Sequence, residues 1–239
     1  MNRSHFLGAA TLAGGTLASA AVSGVEAATI PGGTALVERA SDFDAAGFAA
    51  KLGRPADIRQ VWENLVFKPS VLNNIKNSLN GLVFGFGYAP ERIALATANH
   101  GPSSSYTFDD YVWQKYRIGQ FFELKDASGN PIATNVFFAR KSAPNAGASP
   151  DDPNGPYQDT SIEALQARGV MMLTCHTAVE EISANIVKRS FAPSGMRPQD
   201  VANDILTHLV AGAIVVPSMV ATLAVLQNRY AYTFATVQS

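Results

Sequence analysis

The feature that most constrains this chain is a change of period. Between Ile58 and Ala235, short apolar runs alternate about five times with stretches whose apolar residues recur every three or four positions. The runs are "IRQVWENL" (58–65), "RIALATANH" (92–100), "VMMLTC" (170–175), "AIVVP" (213–217) and "YAYTFA" (230–235). Several are almost continuously apolar, as strands buried on both faces are. The stretches between them carry helical spacing. Leu72, Ile75, Leu79, Leu82 and Phe86 form one face, Val179, Ile182 and Ile186 a second, and Met219, Leu223 and Leu226 a third. Shorter helices are expected over "DDYVWQKYRIG", closed by Gly119, over "SIEALQARG", and over "PQDVANDILTHLV". The alternation predicts an α/β fold: a doubly wound, mainly parallel five-stranded sheet with helices on both faces.

Three segments break the rhythm. Residues 1–28 read as an export signal: Arg3 and His5, then a small-residue apolar run, then Val25-Glu26-Ala27 as a cleavage site. The run is too rich in Gly, Ala and Thr to serve as a membrane span. "NRSHFLG" resembles a twin-arginine signal in which Asn2 stands in place of the first arginine. The mature protein is therefore expected in the periplasm or secreted, with no span after signal removal. Residues 29–56 are expected as an N-terminal extension packed loosely on the domain, which occupies 57–239. Within the domain, residues 120–159 form an insertion. "QFFELKDASGNPIATNVFF" reads as a hairpin or irregular excursion turning at Ser128-Gly129-Asn130-Pro131, and "KSAPNAGASPDDPNGPYQD" as an exposed loop.

Charge narrows the classes of partner. Lysine and arginine number 18 against 19 acidic residues, with no basic stripe, so nucleic acid is not an expected partner. Only 15% of residues are charged against 47% hydrophobic, which points to surface buried in a homo-oligomer. The sequence has no G-x-S-x-G elbow, P-loop, H-E-x-x-H or G-x-G-x-x-G, and no cofactor is expected.

From Val170 onward, "MLTCHTAVEE" and "HLVAGAIVVPSMVATLAVLQNRYAYTFA" resemble the DsrE/DsrF-like family. The shared pattern is a strand ending in cysteine, then a Val/Pro turn, a helix, and a strand with Tyr230-x-Tyr232. Upstream, "NNIKNSLNGLVFGFGYAPERIALATANHGPSSSYTFDDYVWQKYRIG" is similar to a secreted branch of that family. There a small-His-Gly turn precedes an Asp-x-x-Trp-x-Lys-Tyr helix, here Asp110, Trp113, Lys115 and Tyr116. The resemblance covers roughly 57–239 and implies a flavodoxin-like domain and sulfur-relay chemistry.

The expected site follows from strand ends. In a doubly wound sheet, ligands bind outside the carboxyl ends of the strands. Cys175, the only cysteine, ends one predicted strand and His100 another, which places both on one rim together with His176. Thr177-Ala178-Val179-Glu180 fits a capping box, which sets Cys175 two residues ahead of a helix start whose dipole favours a thiolate. On this reading Cys175 is the catalytic group of a sulfur carrier or thiol-redox protein. His100, His176, Asp110, Trp113, Lys115 and Tyr116 line its binding site, and the partner is a small sulfur compound or another protein. The other readings are a non-catalytic small-molecule or protein binding module using the same rim, with a structural cysteine, and a zinc site joining Cys175 to the two histidines.

Overall fold

A computed structural model describes residues 43–143, 147 and 149–237, and the backbone pairing of Thr29–Ile30 with Thr34–Ala35. The export signal read over residues 1–28 lies outside the described residues.

The strands are β1 (Ile58–Asn64), β2 (Ile93–Asn99), β3 (Met171–Cys175), β4 (Ile214–Val216) and β5 (Thr233–Thr236). They form one all-parallel sheet in the order β4-β3-β2-β1-β5. This is the expected doubly wound α/β architecture of flavodoxin-like type. All seven residues of the central strand β2 are buried, which explains why "IALATAN" shows no polar alternation. Both edge strands are short, at three and four residues, as exposed sheet edges commonly are.

The strand order determines which helices cover which face. Passing from β1 to β4 the chain always steps in the same direction, so right-handed crossovers put the connections on one face. That face holds α2 (Ser70–Asn80) and α5 (Ile162–Ala167), whose Leu72, Ile75, Leu79, Ile162 and Leu165 pack on Leu95 and Met172. Beside it lies a helical cluster of α3 (Asp110–Lys115), α4 (Ile118–Phe121), α6 (His176–Lys188) and α7 (Pro198–Thr207). The last crossover reverses direction and places α8 (Met219–Tyr230) on the opposite face. There α8 joins α1 (Ala45–Leu52) over Val61, Ala96, Leu173 and Cys175.

Four expectations need correction. The segment before residue 57 is not loosely packed where it is described: α1 buries Phe48 and Leu52 in the core and is capped by Asp44, whose carboxylate accepts from Gly47 N at 2.8 Å. The helix expected to run to Phe86 stops at Asn80. A π-helical turn over Gly81–Gly85 follows, and Phe86 is 79% exposed. Gly119 does not close α3, which ends at Lys115. It sits inside α4, where an added Cβ would meet the Ile132 carbonyl oxygen at 2.0 Å, so glycine there permits a close backbone approach. Finally, α6 starts at His176 rather than after Thr177.

The described residues of the insertion are tied to the domain at several points. Asp126 accepts from Ser128 N and Asn130 N, and Gly129 takes the positive φ the turn requires. Asp159 accepts from Lys141 N, Ser142 N and Ser161 N at 2.6–2.8 Å. Lys76 and Asn80 of α2 donate to Gln158 Oε1 and to the Tyr157 carbonyl.

Candidate functional site

The carboxyl rim of the sheet is built on a buried polar layer. Asn99 ends β2, and its side-chain amide donates to Thr97 Oγ1 (2.8 Å) and the Leu173 carbonyl (3.0 Å). Ser103 bonds the carbonyls of Asn64 and His100, and Thr174 Oγ1 meets Thr107 Oγ1 at 2.6 Å. These contacts lock a 3-10 segment, Gly101–Thr107, across the ends of β1, β2 and β3. Gly101 makes the turn out of β2 with φ +57°, and an added Cβ would lie 3.1 Å from the Leu65 carbonyl oxygen. Satisfied buried polar groups of this kind hold a rim rigid.

Register places the predicted rim residues. Asn99 pairs with Thr174, so His100 and Cys175 are the next residues on neighbouring strands. By strand alternation, Glu63, His100 and Cys175 project toward the α1/α8 face, the same side as Val61, Ala98 and Leu173. His100 Nε2 lies 3.1 Å from Glu63 Oε1, and both side chains are partly covered. The sequence reading missed Glu63. The available signal was its parity with Val61 in "IRQVWENL": an acid at the last inward-facing position of a strand. His176, on the first turn of α6, has Nδ1 4.0 Å from Glu180 Oε1, and Glu180 is a buried carboxylate. Glu180 therefore faces His176 instead of closing the capping box that the sequence suggested.

Cys175 itself caps α6. Its Sγ accepts from Ala178 N at 3.4 Å and from Met219 N, the first residue of α8, at 3.3 Å. The thiol thus receives N–H groups from the amino ends of two helices. It is also only 4% exposed, enclosed by Val216, Met219 and Leu223. Burial pushes its pKa up from the ordinary thiol value. The N–H groups of Ala178 and Met219 oppose that rise without cancelling it, and the charge of Glu181 adds to it. The sequence argument placed the thiol ahead of a helix start that favours the thiolate; the direct N–H donors act in that sense, but burial outweighs them. At neutral pH the group is a protonated thiol. Among the described residues, no group of three or more metal-ligating side chains converges as a metal site would require.

The other predicted binding residues lie on α3 and at the Tyr116 that ends it. Trp113 is fully buried and donates Nε1–H to the Ser105 carbonyl at 3.0 Å. Asp110 accepts from Asn135 N. Lys115 and Tyr116 both turn to Asp204 of α7, Lys115 Nζ at 2.9 Å and Tyr116 Oη at 2.6 Å. Tyr111 stacks on His208 with ring centroids 4.2 Å apart and accepts from Lys115 Nζ. This is a polar seam between helices. Burial tends to raise the Asp204 pKa, but donation from Tyr116 and Lys115 carries it below the ordinary carboxylate value. Its carboxylate form therefore stabilises the fold above a pH of about 4, and the contribution is lost as pH falls through the lower folded-state value. Replacing Asp204 with asparagine is expected to cost about 1–3 kcal/mol at pH 7. The gap from wild type should close as urea midpoints are measured down toward pH 2, and a pH-independent gap would contradict this account.

Two cavities bear on binding. One of about 390 Å³ is lined by Asp109, Asp110, Tyr111, Asn135, Phe138 and Leu209 with its neighbours. Both acids there are engaged with backbone: Asp109 caps α3 through Val112 N, and Asp110 holds Asn135 N. The other, about 270 Å³, opens beside the carboxyl end of β2. Gly101 and Pro102 form one wall, Phe121 and Phe122 a second, and Glu181, Ile182, Asn185 and Arg189 of α6 a third. It is smaller but lies at the strand ends, where doubly wound sheets bind ligands. The sequence could not reveal it, because Phe121 and Phe122 belong to a segment without periodicity.

The chain has no significant match to any family model, curated protein or solved structure. Among the described residues, no helix is long and apolar enough to cross a membrane.

Proposed function

We propose that this chain is an exported, DsrE-like binding module whose ligand sits in the rim cavity between the β2 turn and α6, with Cys175 as a structural helix cap. The observation that carries the reading is the state of the thiol: buried, engaged by two helix ends, and raised in pKa. A sulfur carrier requires an accessible sulfur with a lowered pKa, and this site offers neither in its resting form. The rim cavity supplies what a binding module needs instead: aromatic walls, a few polar groups and a rigid floor. Assembly into a homo-oligomer belongs to the same proposal and is supported by exposed Phe86, Val220 and Phe234.

The sulfur-carrier reading keeps one observation in its favour. Two backbone donors on Sγ would also stabilise a thiolate or persulfide if the site opened. Ligand-observed NMR with indole as the probe separates the two. Binding to wild type and to Cys175→Ser, with loss in Asn185→Trp, supports the binding module. Loss of binding in a folded Cys175→Ser protein overturns it.

A further inference from the structure

We propose that the rim cavity takes an elongated amphipathic zwitterion, with an ammonium at the Glu181 end, a carboxylate at the Arg189 end and an apolar body between. This is the chemistry of a short apolar peptide. The inference rests on the binding-module reading and adds the ligand class.

The α6 side of the cavity is a single stripe. Glu181, Ile182, Asn185 and Arg189 fall within about 100° of one another around the helix, and eight residues at about 1.5 Å rise set the backbone positions of Glu181 and Arg189 roughly 12 Å apart along it. The stripe reads acid, aliphatic, amide, base. Phe121 and Phe122 pack edge to face with centroids 4.7 Å apart and line the cavity with Ile182; Phe121 and Ile182 are buried, so the half-buried Phe122 ring supplies most of the apolar wall. An apolar body held by those rings then has opposite charges at its two ends.

The basic end is preorganised. Arg189 lies 4.3 Å over the Phe121 ring and donates Nη1–H to the Phe121 carbonyl at 3.0 Å. That bond uses one of five guanidinium N–H donors. Arg117 reaches the same place from α3's far side. Its guanidinium lies 4.6 Å over Phe191, a ring that Arg189 also covers at 5.2 Å. Two guanidiniums around one ring make this end positive, and a planar fork fixed by stacking suits a carboxylate. At the other end Glu181 disfavours a second anion, which argues against phosphate esters and dicarboxylates.

Size sets the length. Two extended residues span about 7 Å, and the Glu and Arg side chains cover the rest of the roughly 12 Å between their backbone positions. A volume of about 270 Å³ suits a ligand of dipeptide size.

Isothermal titration with di-leucine, its N-acetyl form and its C-terminal amide tests the proposal on the folded mature protein. Each cap is expected to weaken binding about tenfold or more, the loss of one charge-assisted contact. In Glu181→Gln, acetylation should cease to matter while amidation still does. Arg189→Gln should show the reverse. Glu181 is exposed and supports no core contact, so its arm stands even if Arg189→Gln unfolds. Caps without effect, or cap sensitivity unchanged in Glu181→Gln, overturn the proposal. If di-leucine fails to bind while indole binds and is lost in Asn185→Trp, the zwitterion falls and the binding module stands. If neither binds, both fall.

Discussion

Folded, reduced protein treated with iodoacetamide at pH 7 is expected to carry almost no adduct on Cys175 over a time that fully labels the urea-unfolded chain. The rate difference should be on the order of 100-fold or more, because the sulfur is reached only through local opening and an opening cost of about 3 kcal/mol gives such a factor. The thiol is 4% exposed and enclosed by α8, so the reagent must separate the amino ends of α6 and α8 to reach it. Intact mass measured over time at several pH values gives the result. Because burial holds the thiol pKa up, labelling below pH 8 should not accelerate as it does for an activated thiolate. Rapid alkylation at pH 7 would reverse the assignment: Cys175 would be the working group, and the sulfur-carrier reading would take the place of the binding module.

Replacing Trp113 with alanine is expected to cost about 3–5 kcal/mol, the range for a buried aromatic side chain lost from a core. Trp113 is fully buried among Phe108, Val179 and Ile182 and joins α3 to α6 and α7. At about 2–4 °C per kcal/mol for a domain of this size, the melting temperature should fall by roughly 6–20 °C. Trp113→Phe separates packing from hydrogen bonding. It retains much of the ring contact and removes one of the two donors on the Ser105 carbonyl, which still accepts from Phe108 N, for a loss of about 0.5–1.5 kcal/mol. Urea titrations of both variants give the values. A Trp113→Ala protein within 1 kcal/mol of wild type would mean that α3 contributes little to the core. In that case the expectation that Trp113 serves binding would regain weight.

Elements whose burial follows a simple period were legible from the sequence. "RIALATANH" and "VMMLTC" read as buried strands, and the observed β2 and β3 begin and end within one residue of those runs. The α8 spacing of Met219, Leu223 and Leu226 was equally plain, and all three are buried on one face. Where tertiary contact decides, the pattern misled. Phe86 continues the spacing of α2, yet the helix widens at two glycines and releases that ring to solvent. Thr177 has the ideal side chain for a cap, but its hydroxyl donates to the Pro217 carbonyl, and the preceding cysteine takes the cap position. Glu63 and Asp204 went unnoticed because each is defined by a partner distant in sequence: His100 for one, Lys115 and Tyr116 for the other. The rim cavity was illegible for the same reason. Its aromatic wall comes from an aperiodic segment that only the folded chain brings against α6.

The position of β5 at the far edge has a consequence for how the molecule is made. β5 pairs with β1, and Thr233 donates its hydroxyl to the Arg59 carbonyl across 174 positions of chain. At about 5–20 residues per second, β1 leaves the ribosome roughly 9–35 s before its partner exists. During that interval one side of β1 has no neighbouring strand, and the α1/α8 face lacks α8. The sheet is completed only when nearly all of the sequence shown here has been synthesised. From the time β2 pairs with β1 until β5 emerges, the sheet therefore presents an open edge along β1.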